Sequence, residues 1–457
     1  MKLQSAAAYL AAVSLLVEDC NAYSNSIGSS KTSFVAQNSF QFGLWKGANN
    51  NNNKNNGALQ MYLTSSTTSR STTSSSTKTK DVTKLGDLLI PSLGCGTISW
   101  SSNRLTELEN WEIRSLISTA CSENAAFFDT AERYGGNIKT ALGMGWGDTE
   151  RMLQKHLSEA QVITSSSSGN SKTNANNNKK LLDPIVATKF TPSPWRSSAQ
   201  SVVEACEQSR IRLGVDQIDL YQIHMPDIVQ PLKFLGMGDN KDEMYWDGLA
   251  ECYHRGLVKN VGVCNYGPTL VMKCQEALAR RGVPLASNQI AYSLIGRHNG
   301  AQETVDKCNE LGVKVLAYYP FAMGLLTGKY SSSSSSIFAD ASASPSRKTK
   351  LEKSDLQKYK IDPLLTVLER IAEKRGKSVA QVALNYIICK GAIPIPGSRT
   401  EAQFVENIGA MGWRLTNTEI AMLELEADEL SVGFDGAGFK RTSEKFVGYG
   451  VEKWRLD

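Results

Sequence analysis

The fold is decided by the stretch Ala125–Gly135, which reads A-A-F-F-D-T-A-E-R-Y-G. Its apolar first half has the character of a short buried strand that ends at Asp129, and Tyr134 follows five residues later. Two later runs also have the character of strands with polar ends. Ile185–Lys189 ends in a lysine, and Ile218–His224 ends in a histidine. Strands that alternate with helices form a parallel sheet, and in a closed (β/α)8 barrel the carboxyl ends of the strands share one rim. We therefore expect these polar side chains to meet.

An acid, a tyrosine, a lysine and a histidine at one rim suit proton transfer to a carbonyl oxygen. Tyrosine has an ordinary pKa of about 10, so as a general acid at neutral pH it benefits from a cation that stabilises its phenolate. Lys189 would be that cation, and Asp129 would hold the ammonium by a charge-assisted hydrogen bond. His224 would donate to the carbonyl and orient it. The predicted catalytic residues are Asp129, Tyr134, Lys189 and His224, with Tyr134 and His224 also contacting the substrate, and a nicotinamide cofactor would supply the hydride.

Each of these residues taken alone has a simpler structural explanation. A histidine in an apolar strand is more often a core residue, a single lysine usually lies on the surface, and an acid after a strand is often a helix cap. The equivalent placement of Asp129, Lys189 and His224 at strand ends is what favours a functional role.

Strand and helix character continue to alternate along the chain, which predicts an α/β fold with a single (β/α)8 barrel over residues 81–435. The predicted strands are 93–98, 125–129, 185–189, 218–224, 258–263, 286–290, 313–318 and 392–395. The predicted helices are 105–122, one capped by Asp148 or Thr149, 197–213, 244–256, 269–281, 302–311, 364–375, 379–389 and 420–430. A hairpin over 81–91 would cover the bottom of the barrel. A disordered Ser- and Asn-rich insertion at 164–180, a mobile lid loop at 328–350 and a C-terminal tail at 436–457 complete the prediction.

The first 80 residues differ in composition from the rest. Ala6–Val17 is an apolar run after Lys2, so residues 1–24 resemble a signal peptide. Residues 25–80 contain no Asp or Glu and are rich in Ser, Thr and Asn, as in a transit peptide. Together they predict a disordered bipartite presequence that directs the protein to a plastid lying inside the secretory system. Secretion or an endomembrane location, with a disordered tail, is the alternative.

The net charge of +5 comes from this presequence. Residues 1–80 hold seven of the 50 Lys and Arg and two of the 45 Asp and Glu, so the remainder carries 43 of each. A balanced domain argues against nucleic acid as a partner. No later apolar run reaches about 18 residues, so no membrane span is expected. Nine cysteines without a C-x-x-C pair, and only four histidines, argue against a metal site.

Seven motifs occur in one order along the chain. They are F-F-D-T-A-E-x-Y-G, V-A-T-K-F, D-L-Y-Q-I-H, V-G-V-C-N-Y, S-N-Q-I-A-Y-S-L, G-L-L-T-G-K-Y and I-P-I-P-G-S-R. Together they resemble the aldo-keto reductase family, from about Val82 to about Gly433. Two longer stretches, V-P-L-A-S-N-Q-I-A-Y-S-L-I and V-L-A-Y-Y-P-F-A-M-G-L-L-T-G-K-Y, are similar to the plastid aldo-keto reductases of plants, a group that includes pyridoxal reductase.

The resemblance implies NADP(H) as the cofactor and a set of contacts near its nicotinamide. These contacts are Gly96, Thr97, Ile98, Asp129, Cys264, Asn265, Gln289 and Tyr318. Trp100 would line the substrate cleft. Cys264 stands where the family usually has serine, and because a thiol is a weaker donor it would weaken one contact to the carboxamide, or act as a redox-sensitive thiol. Tyr319 stands where many relatives have serine, which predicts a bulkier wall beside the cofactor.

The phosphate end of the cofactor is predicted from the last two strands. The segment Pro320–Tyr330 resembles the loop that folds over the pyrophosphate, with contacts from Pro320, Phe321, Gly324, Leu326 and the counter-charge Lys329. Phosphate sites in these barrels tend to follow strands seven and eight at a helix N-terminus. Gly397, Ser398 and Arg399 lie there, and their hydroxyl and guanidinium suit the adenosine 2′-phosphate, which favours NADP(H) over NAD(H). A solvated helix start is the alternative. The resemblance further implies adenine-side contacts from Gln403, Glu406 and Asn407.

These features predict an NADPH-dependent reductase of a small-molecule aldehyde or ketone, with Tyr134 as the proton donor. The alternative is a catalytically weak NADP(H)-binding regulatory protein of the channel β-subunit type, because such subunits retain the same four residues. The sequence carries no signature of a particular carbonyl substrate or of an oligomeric state.

Overall fold

The computed structural model describes residues 81–102, 105–135, 146–167, 183–193, 195–227, 241–298, 300–328 and 361–430. The predicted presequence segments 1–24 and 25–80 and the tail 436–457 lie outside these residues. So do 168–180 of the predicted insertion and all but Gly328 of the predicted lid loop 328–350. These assignments and the domain boundaries stay predictions.

An N-terminal hairpin covers one end of the sheet, as predicted. Its strands β1 (Val82–Leu85) and β2 (Leu88–Pro91) are antiparallel. Buried Leu85 and Ile90 pack on side chains that point into the barrel, among them Phe127, Ala187, Leu220, Leu316 and Ile393. Only glycine fits the turn at Gly86, where φ is 54° and an added Cβ would lie 1.8 Å from Asn260 Oδ1.

The main sheet has eight parallel strands in chain order. They are β3 (Cys95–Gly96), β4 (Phe127–Asp129), β5 (Ile185–Phe190), β6 (Ile218–Ile223), β7 (Val258–Cys264), β8 (Leu285–Ala291), β9 (Lys314–Tyr318) and β10 (Ile393–Pro394). The first and last strands also meet: the amide of Gly94 donates to Pro394 O and that of Gly96 to Pro396 O, each at 3.0 Å. The predicted α/β fold, with eight parallel strands curled into a barrel-like sheet, is confirmed.

Ten α-helices within the described residues accompany these strands. They are α1 (Glu107–Ser122), α2 (Asp148–Ser167), α3 (Ala199–Leu213), α4 (Asp242–His254), α5 (Pro268–Arg280), α6 (Ala301–Glu310), α7 (Asp362–Arg375), α8 (Val379–Cys389), α9 (Glu401–Ile408) and α10 (Asn417–Asp428). Capping boxes begin three of them, at Thr106, Ser378 and Thr416. The larger core lies between the helices and the outward faces of the strands. No described helix is both long enough and apolar enough to cross a bilayer.

Several predicted boundaries were wrong, including that of the last helix, which was predicted over 420–430 and is Asn417–Asp428. The first strand is only Cys95–Gly96, and its ladder with β4 ends where the amide of Thr97 donates to O of Asp129, the last residue of β4, at 2.9 Å. The last strand is only Ile393–Pro394, since Pro394 and Pro396 have no amide hydrogen for a ladder. Helix α2 continues to Ser167, so residues 164–167 are helical although the insertion was predicted to begin there. Helical hydrogen bonds join backbone atoms and therefore do not end where the apolar side chains end.

Candidate active site

The ammonium of Lys189 joins the acid and the tyrosine of the first motif. Its Nζ donates to Asp129 Oδ2 at 2.7 Å, to Thr130 O at 2.8 Å and to the hydroxyl of Tyr134 at 3.1 Å. Strands β4 and β5 are paired with Asp129 opposite Ala187, so the side chains of Asp129 and Lys189 point into the barrel near its carboxyl rim. Lys189 has no exposed surface and Asp129 is 3% exposed. The buried charges are thus paired, and the three donors of the ammonium are used.

Tyr134 reaches this position through a tight turn after β4. The amide of Tyr134 donates to Ala131 O at 3.1 Å. Gly135 follows with φ of 84°, where an added Cβ would lie 3.0 Å from Ser101 Cβ and from Asp148 Oδ2. The turn leaves the phenol half-buried, with its ring centroid 4.7 Å from Lys189 Nζ. The ammonium therefore lies beside the phenol oxygen and within cation–π distance of the ring.

His224 lies beside the phenol, with the two rings 5.7 Å apart at 75°. Its amide donates to Phe190 O at 2.8 Å, and its carbonyl accepts from Asn265 Nδ2 at 3.0 Å. Its buried Nδ1 has no hydrogen-bond partner among the described residues. Burial, and secondarily the charges of Lys189 and Arg133, hold the pKa of His224 well below its ordinary value. The imidazole is therefore neutral near pH 7 and carries one N–H to donate.

A glutamine holds the other oxygen of Asp129. Gln289 Nε2 donates to Asp129 Oδ1 at 2.8 Å, from the opposite side of the carboxylate to Lys189. The sequence predicts Gln289 only as a contact of the nicotinamide, and its hydrogen bond to Asp129 was not predicted. The signal that could have indicated this contact is the position of Gln289 on β8, the strand that pairs with β7, where Gln289 lies opposite Cys264.

Asn265 and Tyr318 form a second polar pair at the rim. The hydroxyl of Tyr318 donates to Asn265 Oδ1 at 2.7 Å. Asn265 has φ of 63°, a left-handed conformation that asparagine tolerates well. Tyr319 has φ of 55°, which is unusual for a bulky residue, and its ring packs edge-on against that of Tyr318 at 5.1 Å. Such conformations concentrate at functional sites.

Cys264 ends β7 inside the barrel and is 1% exposed. Burial raises the pKa of the Cys264 thiol far above its ordinary value, although the charge of Lys189 acts in the opposite direction. The thiol is therefore protonated at neutral pH. Because the thiolate is the reactive form, this environment does not favour the redox-sensitive role.

The rim at β3 is closed by Thr97 and Trp100. Thr97 Oγ1 donates to Asp129 O at 3.0 Å. Trp100 has no exposed surface, its Nε1 donates to Ser398 O at 2.7 Å, and its ring packs against Phe128 at 6.0 Å. The indole is therefore covered in this structure, which does not favour its predicted place on the cleft wall. Gly96, beside Thr97, pairs with Gly397, and Ile98 is half-buried.

The residues predicted for the 2′-phosphate lie together at the start of α9. Ser398 Oγ accepts from Asn407 Nδ2 at 3.0 Å, and Gln403 Oε1 accepts from the amide of Arg399 at 2.9 Å. The guanidinium of Arg399 forms an ion pair with Glu109 on α1, and its Nε is buried without a hydrogen-bond partner in the described part of the chain. The pairing with Glu109 was not predicted.

The other predicted contacts of the phosphate end are more dispersed. Glu406 accepts a hydrogen bond from Ser378, at the start of α8. After β9, Pro320 is buried and Phe321 precedes a 3-10 helix, Ala322–Thr327, that includes Gly324 and the fully buried Leu326. Lys329 lies outside the described residues. All of the predicted ligand contacts stay predictions.

Comparison with known proteins identifies the family to which the chain belongs. Residues 92–426 match the model of the aldo/keto reductase family. The chain belongs to this family and is an oxidoreductase. The resemblance stated from the motifs is thus confirmed.

Two relatives and one solved structure show how similar the chain is to known members of the family. The chain is 36% identical over 351 residues to "Pyridoxal reductase, chloroplastic" of Arabidopsis thaliana, covering 76% of this chain and 86% of the relative. It is 28% identical over 366 residues to "Aldo-keto reductase str7" of Strobilurus tenacellus, covering 77% and 93%. Among solved structures, the aldo-keto reductase AKR2E4 of Bombyx mori in complex with NADP is 25% identical with a TM-score of 0.51, covering 76% of this chain and 92% of that one.

Proposed function

We propose that this protein uses NADPH to reduce an aldehyde or ketone to an alcohol, with Tyr134 as the proton donor. The observation that carries the proposal is the single ammonium, Lys189, shared by Asp129 and the hydroxyl of Tyr134. The contact between Lys189 Nζ and the phenol oxygen stabilises the negative charge that develops on that oxygen when its proton leaves.

The residues present fit a dinucleotide with a 2′-phosphate. Arg399 Nε is buried and has no hydrogen-bond partner among the described residues, which supports a further acceptor at this guanidinium. Ser398, Arg399 and Asn407 would hold the 2′-phosphate, and Asn265 with Gln289 would bind the carboxamide. The solved structure of the Bombyx mori relative was determined in complex with NADP. When bound, the cofactor supplies the hydride.

The protein's own part in the reaction is to place the carbonyl and to move one proton. His224, neutral because its pKa is lowered, donates a hydrogen bond to the carbonyl oxygen and orients it. The proton of Tyr134 passes to the same oxygen as the carbonyl carbon gains a hydride. Lys189 stabilises the resulting phenolate, and Asp129 balances the charge of Lys189, so the buried site carries no net charge before the reaction.

A screen of NADPH oxidation against short-chain aldehydes and pyridoxal tests this function. Turnover of any of them supports a reductase with a small-molecule substrate; pyridoxal is included because the Arabidopsis relative is named for its reduction. Tight NADPH binding with no turnover of any carbonyl would instead favour the regulatory protein.

Arg399→Ala is expected to weaken NADPH binding about 10- to 100-fold and NADH binding much less, because charge-assisted hydrogen bonds to the 2′-phosphate are lost. Titration of the protein fluorescence with each nucleotide measures both affinities. Arg414→Ala is the control, since Arg414 pairs with Asp81 in the segment before β1 and should leave both affinities unchanged. Equal losses for the two nucleotides in Arg399→Ala would refute the assigned role.

The proposed location is a plastid, supported by the composition of residues 1–80 and by the chloroplastic relative. A fluorescent reporter fused to residues 1–80 should enter the plastid of an alga whose plastids lie inside the secretory system. A reporter lacking residues 25–80 should be secreted or held in the endomembranes. Secretion of the full fusion would support the alternative, and a cytosolic signal would reject both.

A further inference from the structure

The turn that carries Tyr134 contains a buried carboxylate that the proposed reaction does not use. Glu132 is 1% exposed and lies two residues before Tyr134. Its Oε1 accepts from the amide of Thr191 at 2.6 Å and from Arg196 Nη1 at 2.5 Å, and its Oε2 accepts from Arg196 Nη2 at 3.2 Å. Arg196 thus binds the carboxylate through both of its terminal nitrogens, a geometry that fixes orientation as well as distance.

Both ends of this contact lie next to the reacting groups. Thr191 follows β5 two residues after Lys189, just as Glu132 precedes Tyr134 by two. A long backbone contact, from the amide of Glu132 to Lys189 O at 3.5 Å, joins the same two segments. The carboxylate therefore ties the turn of the proton donor to the strand of its cation.

Arg196 is itself held on several sides. Its guanidinium stacks over the ring of Trp146 at 4.2 Å and lies 5.0 Å from the ring centroid of Phe190. Its carbonyl accepts from the hydroxyl of Tyr245 at 2.9 Å. An arginine packed in this way has little freedom, so its partner carboxylate is fixed as well.

A second buried pair extends the contact to the other side of Lys189. Arg212 Nε donates to Glu150 Oε2 at 2.5 Å, and Glu150 Oε1 accepts from Thr188 Oγ1 at 2.6 Å. Arg212 Nη2 also lies 3.9 Å from Glu132 Oε2. Two acids and two arginines thus form a charge-balanced group that contacts the residue before Lys189 and the second residue after it.

We propose that Glu132 is a positioning residue, whose carboxylate, clamped by Arg196, keeps the hydroxyl of Tyr134 within hydrogen-bond distance of Lys189 Nζ. This inference rests on the proposed function, since it concerns the same proton transfer. Glu132 does not touch the substrate or the reacting atoms. It acts through the geometry of the two segments that it joins.

Glu132→Gln tests the proposal, because it preserves volume and an acceptor for Thr191 while removing the ion pair. We expect kcat to fall about 10- to 100-fold, the loss that a small misplacement of a reacting group produces, with little change in KM or in NADPH affinity. Arg196→Lys keeps the charge but not the two-pronged contact, so its kcat should fall between those of the parent protein and Glu132→Gln. Because Arg196→Lys keeps both charges, the basic limb of its pH profile should move to higher pH as the phenolate loses part of its stabilisation.

Glu419→Gln is the matched control. Glu419 is 4% exposed and is bound through two nitrogens by Arg375, which joins α7 to α10 away from the described site residues. It should lose stability while keeping kcat and the pH profile. If Glu132→Gln and Arg196→Lys also lose only stability, the clamp is structural and the proposal is overturned.

A measurement without substrate separates this inference from the proposed function. The ultraviolet absorbance difference between the protein and its Tyr134→Phe variant, followed against pH, reports ionisation of that phenol alone. Arg196→Lys, which leaves both charges in place, should move this ionisation to higher pH even if no carbonyl is ever turned over. An unchanged ionisation in a folded Arg196→Lys variant would overturn the inference, whereas absent turnover in the parent protein would overturn the proposed function only.

Discussion

Tyr134→Phe is expected to lower kcat for carbonyl reduction by about 100- to 10,000-fold, the usual contribution of a positioned general acid. The ring remains, so the packing against His224 and the approach of Lys189 are preserved. The substitution removes the hydroxyl, and with it the transferable proton and the acceptor of one hydrogen bond from Lys189. NADPH should bind with nearly unchanged affinity, because the phenol oxygen is not among its proposed contacts. Steady-state NADPH oxidation and a fluorescence titration of the cofactor measure the two quantities.

Tyr253→Phe is the control for that loss. Tyr253 is a half-buried tyrosine on α4 whose ring lies edge-on against His254, away from the rim. Its substitution should leave kcat unchanged. A Tyr134→Phe variant that retained more than about a tenth of the parent kcat would contradict the assignment of the proton donor. Loss of a general acid lowers the rate by at least about 100-fold.

Lys189→Met is expected to abolish turnover and to lower the free energy of unfolding by about 3–5 kcal/mol, the usual effect of breaking a buried ion pair. Methionine fills a similar volume, so the cost arises from charge. Asp129 would remain buried with one oxygen on Gln289 and no cation. Urea unfolding followed by circular dichroism measures the loss.

A second substitution separates stability from catalysis. Asp129→Asn combined with Lys189→Met removes both charges and should recover most of the stability while remaining inactive. Lys259→Met is the comparison, because Lys259 pairs with Asp219 at the same 2.7 Å but is half-exposed. It should cost about 1 kcal/mol or less. Recovery of turnover in the double variant would show that neither residue serves proton transfer.

The regular strands were the most predictable part of the fold. The predicted boundaries of β5 and β6 agree with the structure to one residue, because a fully buried strand is an apolar run with a polar residue at its end. The strands β3 and β10 were much shorter than predicted. Their hydrogen bonds depend on which amides the neighbouring strand presents, and a proline removes one of them.

Within the candidate site, the sequence indicated the residues more readily than their partners. It singled out Lys189 but not Gln289 as a partner of Asp129, and Arg399 but not its pairing with Glu109. It assigned nothing to Glu132, which lies inside the most informative motif. A buried acid and an exposed one look the same in a sequence.

The sequence by itself determined the alternation of strands and helices and the polar residues at strand ends, because both follow from local burial and from short spacings. Only the tertiary structure decided which atoms meet. The bonds of Asp129 join residues 60 and 160 positions apart, and the pairing of Arg399 with Glu109 spans 290. Such contacts depend on how the sheet closes and on the depth of each side chain within it, and no local pattern encodes either.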